Sequence, residues 1–177
     1  DSSGGIYGEK GLDPNKINET KHEKDSVTGF YCEGTVCDIS RLERDRARII
    51  TNEEILECEC DVLIPAALDN QIRADNANKI KAKIVLELAN GAVTPEADQM
   101  LFDKGVLVIP DILGNAGGVT VSYFEWVQNS MNFYWTEEEV SAKLKPIMEK
   151  SFRAVYTIAE EKNISFRSAA FVLGLKR

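Results

Sequence analysis

The sequence predicts an α/β fold in which an open parallel sheet is flanked by helices. Three apolar runs carry this reading: CDVLIPA (60–66), KIVLELAN (83–90) and GVLVIPD (105–111). Each is about one strand long and apolar on both faces, the pattern of strands covered on both sides. Helix-start signals fall between and after them, at Thr94-Pro95, Asn115 and Thr136. Strands alternating with helices at this spacing give right-handed crossovers and hence a parallel sheet. With 177 residues, 44% hydrophobic and 28% charged, the chain can bury a core and carries no compositional sign of disorder.

The elements follow in order. DSSGGIYGEKG (1–11) reads as a glycine-rich loop. Asp13 followed by Pro14 is an N-cap with proline in the first helical position, opening a helix to about Val27. Residues 29–50 read as irregular, with a short strand near Gly34 to Cys37. Thr51 with Glu54 is a capping box for a short helix to about Glu57. A short helix is expected around Asp75 to Ile80, and another from Thr94-Pro95 to near Gly105. Asn115 to about Asn129 forms the next. Thr136 with Glu137 to Glu139 caps a long helix to about Lys162, with a kink expected at Pro146, and Ser165 caps a last helix that the chain end cuts off.

Charge excludes some functions. The net charge is −8, and RLERDRAR (41–48), the one basic-looking run, is interleaved with Glu43 and Asp45. A phosphate-backbone partner requires clustered Lys and Arg, so no nucleic-acid role is expected. Cys32, Cys37, Cys58 and Cys60 are spaced by four and by one intervening residues, unlike the hooks of structural zinc sites. No metal is expected, and the four are read as free thiols of a reducing, cytoplasmic setting. No apolar run approaches a membrane span and no signal peptide is visible. Because the chain opens on Asp1 rather than Met, it is expected to be a fragment, a processed chain or an incomplete sequence.

Ligands of open parallel sheets sit at the carboxyl ends of the strands. Asn and small residues gather there: Pro65-Ala66-Ala67 after the first run, Asn90-Gly91 after the second, and Asn115-Ala116-Gly117-Gly118 after the third. Turn chemistry accounts for any one of them, but not readily for several at one edge.

LELANGAVTPEAD (86–98) and VIPDILGNAGGVTVSYFEWVQN (108–129) closely resemble the coenzyme-binding domain of the hexameric glutamate dehydrogenases. The similarity extends through CDVLIPAALDNQI (60–72), NANKIKAKIV (76–85) and DSSGGIYGEKGLDP (1–14), and is weakest over 29–50. The resemblance implies an open parallel Rossmann-type sheet flanked by helices, lacking its first strand, with C-terminal helices. Residues 1–130 would be an incomplete NAD(P)-binding domain, and 131–177 a truncated helical segment packing on it.

By the same resemblance, Asp1 would accept hydrogen bonds from the adenine-ribose hydroxyls, with Ser2 beside it. Ala66 and Ala67 would form the edge against which the coenzyme lies, with Gln71 one helical turn further. Asn90 and Asn115 would hold the nicotinamide ribose and carboxamide, since amides both donate and accept. Gly117 and Gly118 would let the following helix approach. Val119 would pack on the amino-acid substrate, and Ser122 would bind its side-chain carboxylate. Relatives acting on leucine, valine or phenylalanine need an apolar residue there, so Ser122 points to glutamate. Tyr123, Phe124 and Trp126 are read as packing residues.

The glycine loop and the acid–base residues of the substrate domain are not in these 177 residues, so the isolated chain is expected to be inactive. The implied reaction is hydride transfer between L-glutamate and NAD, with NADP possible, giving 2-oxoglutarate and ammonia in a homo-oligomer of the full enzyme. The rival reading is a non-catalytic α/β scaffold or interaction module derived from that domain.

Overall fold

The computed structural model describes residues 4–176. The chain divides after Cys58 into two compact units. The division falls inside the stretch 1–130, and the helices beyond residue 131 belong to the same unit as the parallel sheet.

The first unit is built on a two-stranded ribbon. Strand β1 (Gly5–Gly8) pairs antiparallel with β4 (Ala47–Ile50), Gly5 opposite Ile50 and Gly8 opposite Ala47. The glycine-rich segment is therefore a strand rather than a loop. Small residues fit there because a Cβ at Gly5 would run into Ile55. Helix α1 (Pro14–Lys24) starts as expected, Asp13 accepting from the Asn15 and Lys16 amides. It ends at Lys24, three residues short of Val27, because Asp25 takes the left-handed conformation that closes a helix.

Residues 29–50 are regular, contrary to the expectation. Strands β2 (Cys32–Glu33) and β3 (Val36–Cys37) form a hairpin around Gly34, which sits at φ 59°. Helix α2 (Ile39–Asp45) follows, capped by Asp38, and β4 completes the ribbon. Arg41 lies 4.3 Å over the Phe30 ring and donates to the Phe30 carbonyl at 2.8 Å. Helix α3 (Asn52–Leu56) carries both bonds of the Thr51–Glu54 capping box.

The reading of four free thiols also fails. Cys32 and Cys37 are direct partners across the hairpin and are joined by a disulfide, with Cα atoms 3.9 Å apart. A linear spacing of four residues does not disclose that a two-residue turn places the side chains opposite each other. Cys58 and Cys60 form no disulfide. Among the described residues no group of three or more His, Cys, Asp and Glu could hold a metal ion, and no helix is long and apolar enough to cross a membrane.

The second unit holds the parallel sheet, in the order β5 (Val62–Leu63), β6 (Ile84–Leu86), β7 (Leu107–Ile109). Val62 lies opposite Ile84, and Ile84 opposite Leu107. The ladders are shorter than the apolar runs because prolines follow closely on two of them. Pro65 and Pro110 have no amide proton to extend the pairing. The connection expected to be helical near Asp75 is a single 3-10 turn, Ala77–Lys79. Helix α4 (Pro95–Asp103) is capped by Thr94, whose hydroxyl accepts from the Ala97 amide. A short helix, α5 (Asp111–Gly114), precedes α6 (Ala116–Met131). A side chain at Gly114 would collide with the Glu87 carbonyl, so only glycine lets α5 lie against the end of β6.

Helix α7 (Glu137–Lys162) runs unbroken through Pro146, and α8 (Phe166–Leu175) packs on it. Leu113, Val155, Ile158, Ala159, Phe166 and Ala169 form a buried cluster there. Within the sheet layer Ile72, Ile80, Val85 and Leu101 are fully buried, each contributing about 1.5–3 kcal/mol.

Candidate functional site

The carboxyl edge of the parallel sheet assembles the sequence motifs through backbone bonds. The Pro65 carbonyl, past the end of β5, accepts from the Leu88 and Ala89 amides at 3.0 Å each, fastening the loop after β6 to the strand beside it. That loop carries Asn90, which is exposed, and Gly91 at φ 61°. Asn115 stands at the junction of α5 and α6, with φ −101° and ψ 2°, and its side chain makes no capping bond. Its Nδ2 instead donates to Asn90 Oδ1 at 2.6 Å and to the Leu88 carbonyl at 3.3 Å. The two asparagines, 25 positions apart, thus form one amide pair at the edge.

The other predicted residues stand as follows. Asp1 and Ser2 lie outside the described residues. Ala66 and Ala67 are exposed past the end of β5. Gln71 is in an extended connection, not one helical turn further on: its amide donates to the Ala92 carbonyl at 2.9 Å, and its Nε2 to the Asp69 carbonyl at 2.8 Å. Val119 and Ser122 are exposed and three residues apart, hence on one face of α6. A Cβ at Gly117 would meet only Leu144 of α7, at an ordinary 4.0 Å, and a Cβ at Gly118 would meet nothing within 4 Å. The opposite face of α6 is the buried one, through Phe124, whose ring meets Trp135 at 5.7 Å. Tyr123 and Trp126 are not core: they are 59% and 64% exposed and stack on each other at 5.9 Å. Their positions differ from Phe124 by helix angle, and sequence hydrophobicity does not report which side faces the protein. A cavity of about 240 Å³ between α4, β7 and the α7–α8 turn contains none of the predicted residues.

Beneath the edge lies a charge cluster that sequence reasoning missed. Glu87 is fully buried directly after β6. It accepts from the Val93 amide at 2.7 Å and the Asp111 amide at 3.2 Å, and pairs with Arg167 of α8. Arg167 also donates to Asp98 of α4 at 3.3 Å and to Asp111 at 3.2 Å. Asp111 accepts from the Gly91 amide at 2.8 Å through its second oxygen. Burial pushes the Glu87 carboxyl up, against the lowering pull of the Val93 amide and Arg167. At Asp111 burial acts in the same sense, but the Gly91 and Ile112 amides and Arg167 outweigh it, and its carboxyl is held below the usual range. For Arg167 burial is outweighed by its three carboxylates, so the guanidinium stays charged. The available signal was a glutamate inside the otherwise apolar run KIVLELAN (83–90), which must find a partner once buried.

An open parallel sheet with a polar amide pair at its carboxyl edge, followed at once by a glycine-led helix, defines an α/β protein of Rossmann type. Its whole length, residues 1–177, matches the glutamate/leucine/phenylalanine/valine dehydrogenase family, and the chain belongs to that family. It is 45% identical over 177 residues to the NADP-specific glutamate dehydrogenase of Synechocystis sp., covering 100% of this chain and 40% of that protein. It is 47% identical to the cryptic catabolic NAD-specific glutamate dehydrogenase of Bacillus subtilis, covering 100% of this chain and 38% of that one. Among solved structures, the hetero-hexameric glutamate dehydrogenase from Thermus thermophilus, in its Leu-bound form, superposes with a TM-score of 0.81 at 31% identity, over 97% of this chain and 37% of that one. The chain thus spans about two-fifths of the length of the curated relatives it matches.

Proposed function

We propose that the chain is the coenzyme-binding part of a glutamate dehydrogenase, an enzyme that transfers hydride between L-glutamate and NAD and yields 2-oxoglutarate and ammonia. The observation that carries this reading is the Asn90–Asn115 amide pair. With the Asn115 amide N–H groups given to Asn90 and to the Leu88 carbonyl, the pair still offers the acceptor oxygen of Asn115 and the donor N–H groups of Asn90. A carboxamide and a ribose hydroxyl require that mixture. Family membership and the naming of the relatives support the reaction class. The nicotinamide carries the hydride when bound, while Ala66, Ala67, Asn90 and Asn115 orient it, with Gln71 at the flank. Val119 and Ser122 form one wall of the amino-acid cleft, Ser122 donating its hydroxyl to the substrate side-chain carboxylate.

Coenzyme choice rests on Asp1, with Ser2 beside it. A carboxylate there accepts from a free 2′-hydroxyl and repels a 2′-phosphate, and positions 2 to 5 hold no Lys or Arg to offset it. NAD is therefore the coenzyme proposed over NADP. The full enzyme is proposed to be a cytoplasmic homo-oligomer, and the 177 residues by themselves to be inactive.

In the full-length enzyme that carries this chain, kcat/KM is expected to be higher with NAD than with NADP. Asn115→Ala should lower kcat/KM for NAD about ten-fold or more, the worth of one or two hydrogen bonds. Steady-state kinetics with both coenzymes is the check. An Asn115→Ala enzyme as efficient as the parent would remove the coenzyme from this edge, and a preference for NADP would overturn the role given to Asp1.

A further inference from the structure

We propose that Arg167 is a positioning residue for hydride transfer: through Glu87 and Asp111 it fixes the two loops that present Asn90 and Asn115. The proposal rests on the coenzyme reading of that edge, and extends it to a residue 77 and 52 positions away in the sequence.

The three nitrogens of the guanidinium each meet a different carboxylate, on α4, at the start of α5, and at the end of β6. Two of those carboxylates do more than pair with the arginine. Glu87 closes the loop 87–93 on itself by accepting from the Val93 amide, and ties it to α5 by accepting from the Asp111 amide. Asp111 reaches back to the same loop at the Gly91 amide, next to Asn90. Every one of these acceptors is ionic and buried or half-buried, so each depends on a compensating positive charge. Arg167, only 17% exposed, is that charge. A planar fork meets three carboxylates at fixed angles, whereas a lysine ammonium would act as a point charge. The groups facing Arg167 from the packed elements are Glu87, Asp98 and Asp111. Asp98 differs from the other two, because its contact with Arg167 reaches neither asparagine-bearing loop.

This difference supplies the control. A small displacement of the nicotinamide ring lowers the chemical step far more than it lowers coenzyme affinity, since the adenine half is held elsewhere. In the full-length enzyme, Arg167→Met and Asp111→Asn should each lower kcat at least ten-fold while KM for NAD moves less than threefold. Asp98→Asn should lower Tm but leave kcat within twofold. Arg167→Lys should recover stability more than kcat. Hydrogen exchange on the same proteins reads the loops directly: the Gly91 and Val93 amides lose protection in the Arg167 and Asp111 variants and keep it in Asp98→Asn. Should Arg167→Met fail to fold, Asp111→Asn, which keeps the arginine, decides. Protected Gly91 and Val93 amides in either variant, or a kcat no lower than that of Asp98→Asn, would overturn the proposal. If Asn115→Ala leaves catalysis intact, the coenzyme reading falls separately, and amide exchange alone then tells whether Arg167 positions the loops.

Discussion

Arg167→Met is expected to destabilise the chain by about 3–5 kcal/mol, the usual result of stripping one partner from a buried ionic cluster. It leaves Glu87, Asp98 and Asp111 without the cation they share. The loss should grow with pH. In the parent, Glu87 has a folded pKa raised above its unfolded value, so its stabilising contribution is complete below the unfolded value and is lost as pH rises through the folded one. Asp111 is lowered and behaves oppositely: its contribution is present above the unfolded value and lost as pH falls through the folded one. Removing Arg167 takes a lowering influence from both carboxyls. The folded variant then holds protons that its unfolded chain releases, and it weakens as pH climbs out of the carboxylate range. Urea unfolding of parent and variant at about pH 5 and about pH 8 should show the larger gap at the higher pH. Equal gaps, or one under about 1 kcal/mol at both, would mean that the cluster is not held by its arginine.

Ser122→Leu should have the second large effect, this time on substrate choice. A hydroxyl donating to a carboxylate is worth about 1.5–3 kcal/mol, so kcat/KM for glutamate in the full-length enzyme should fall roughly 10- to 150-fold. Val119 lies one turn earlier on the same exposed face, and the leucine would extend its apolar surface. Activity on leucine or valine should accordingly rise relative to glutamate, while KM for the coenzyme stays put. Because Ser122 is exposed, folding should be untouched. Assays of glutamate, leucine and valine side by side test this. Glutamate efficiency within threefold of the parent would take Ser122 out of the cleft.

What the sequence disclosed depended on distance along the chain. Helix starts at Asp13, Thr51, Thr94, Thr136 and Ser165 were all legible, because a cap is a bond between a side chain and an amide two or three residues away. The parallel strands were legible as apolar runs, though not their brevity. Strand β1 was not legible: Gly5–Gly8 has no strand-like composition, and only pairing with Ala47–Ile50, some forty residues on, makes it one. Helix α2 could have been found from Asp38, whose side chain accepts from the Arg41 amide. At the site, Asn90 and Asn115 were marked by their strand-end positions, whereas Arg167 was hidden. An arginine near the start of a helix looks like any solvated one until three carboxylates from distant segments converge on it.

Asn90 and Gly91 form the dipeptide most prone to chemical ageing. A glycine amide nitrogen, unhindered by any Cβ, attacks the asparagine side-chain carbonyl, expels ammonia and leaves a succinimide that water opens to an acid. That attack requires the nitrogen to give up its proton. Here the N–H is bonded at 2.8 Å to Asp111, a carboxylate held ionised, whose negative charge disfavours the amide anion that the attack needs. The same bond holds Gly91 at φ 61° and fixes the orientation of the peptide plane. The contact that orders the loop thus also slows its decay, and the chemical lifetime of Asn90 is tied to a carboxylate twenty-one positions further along the chain.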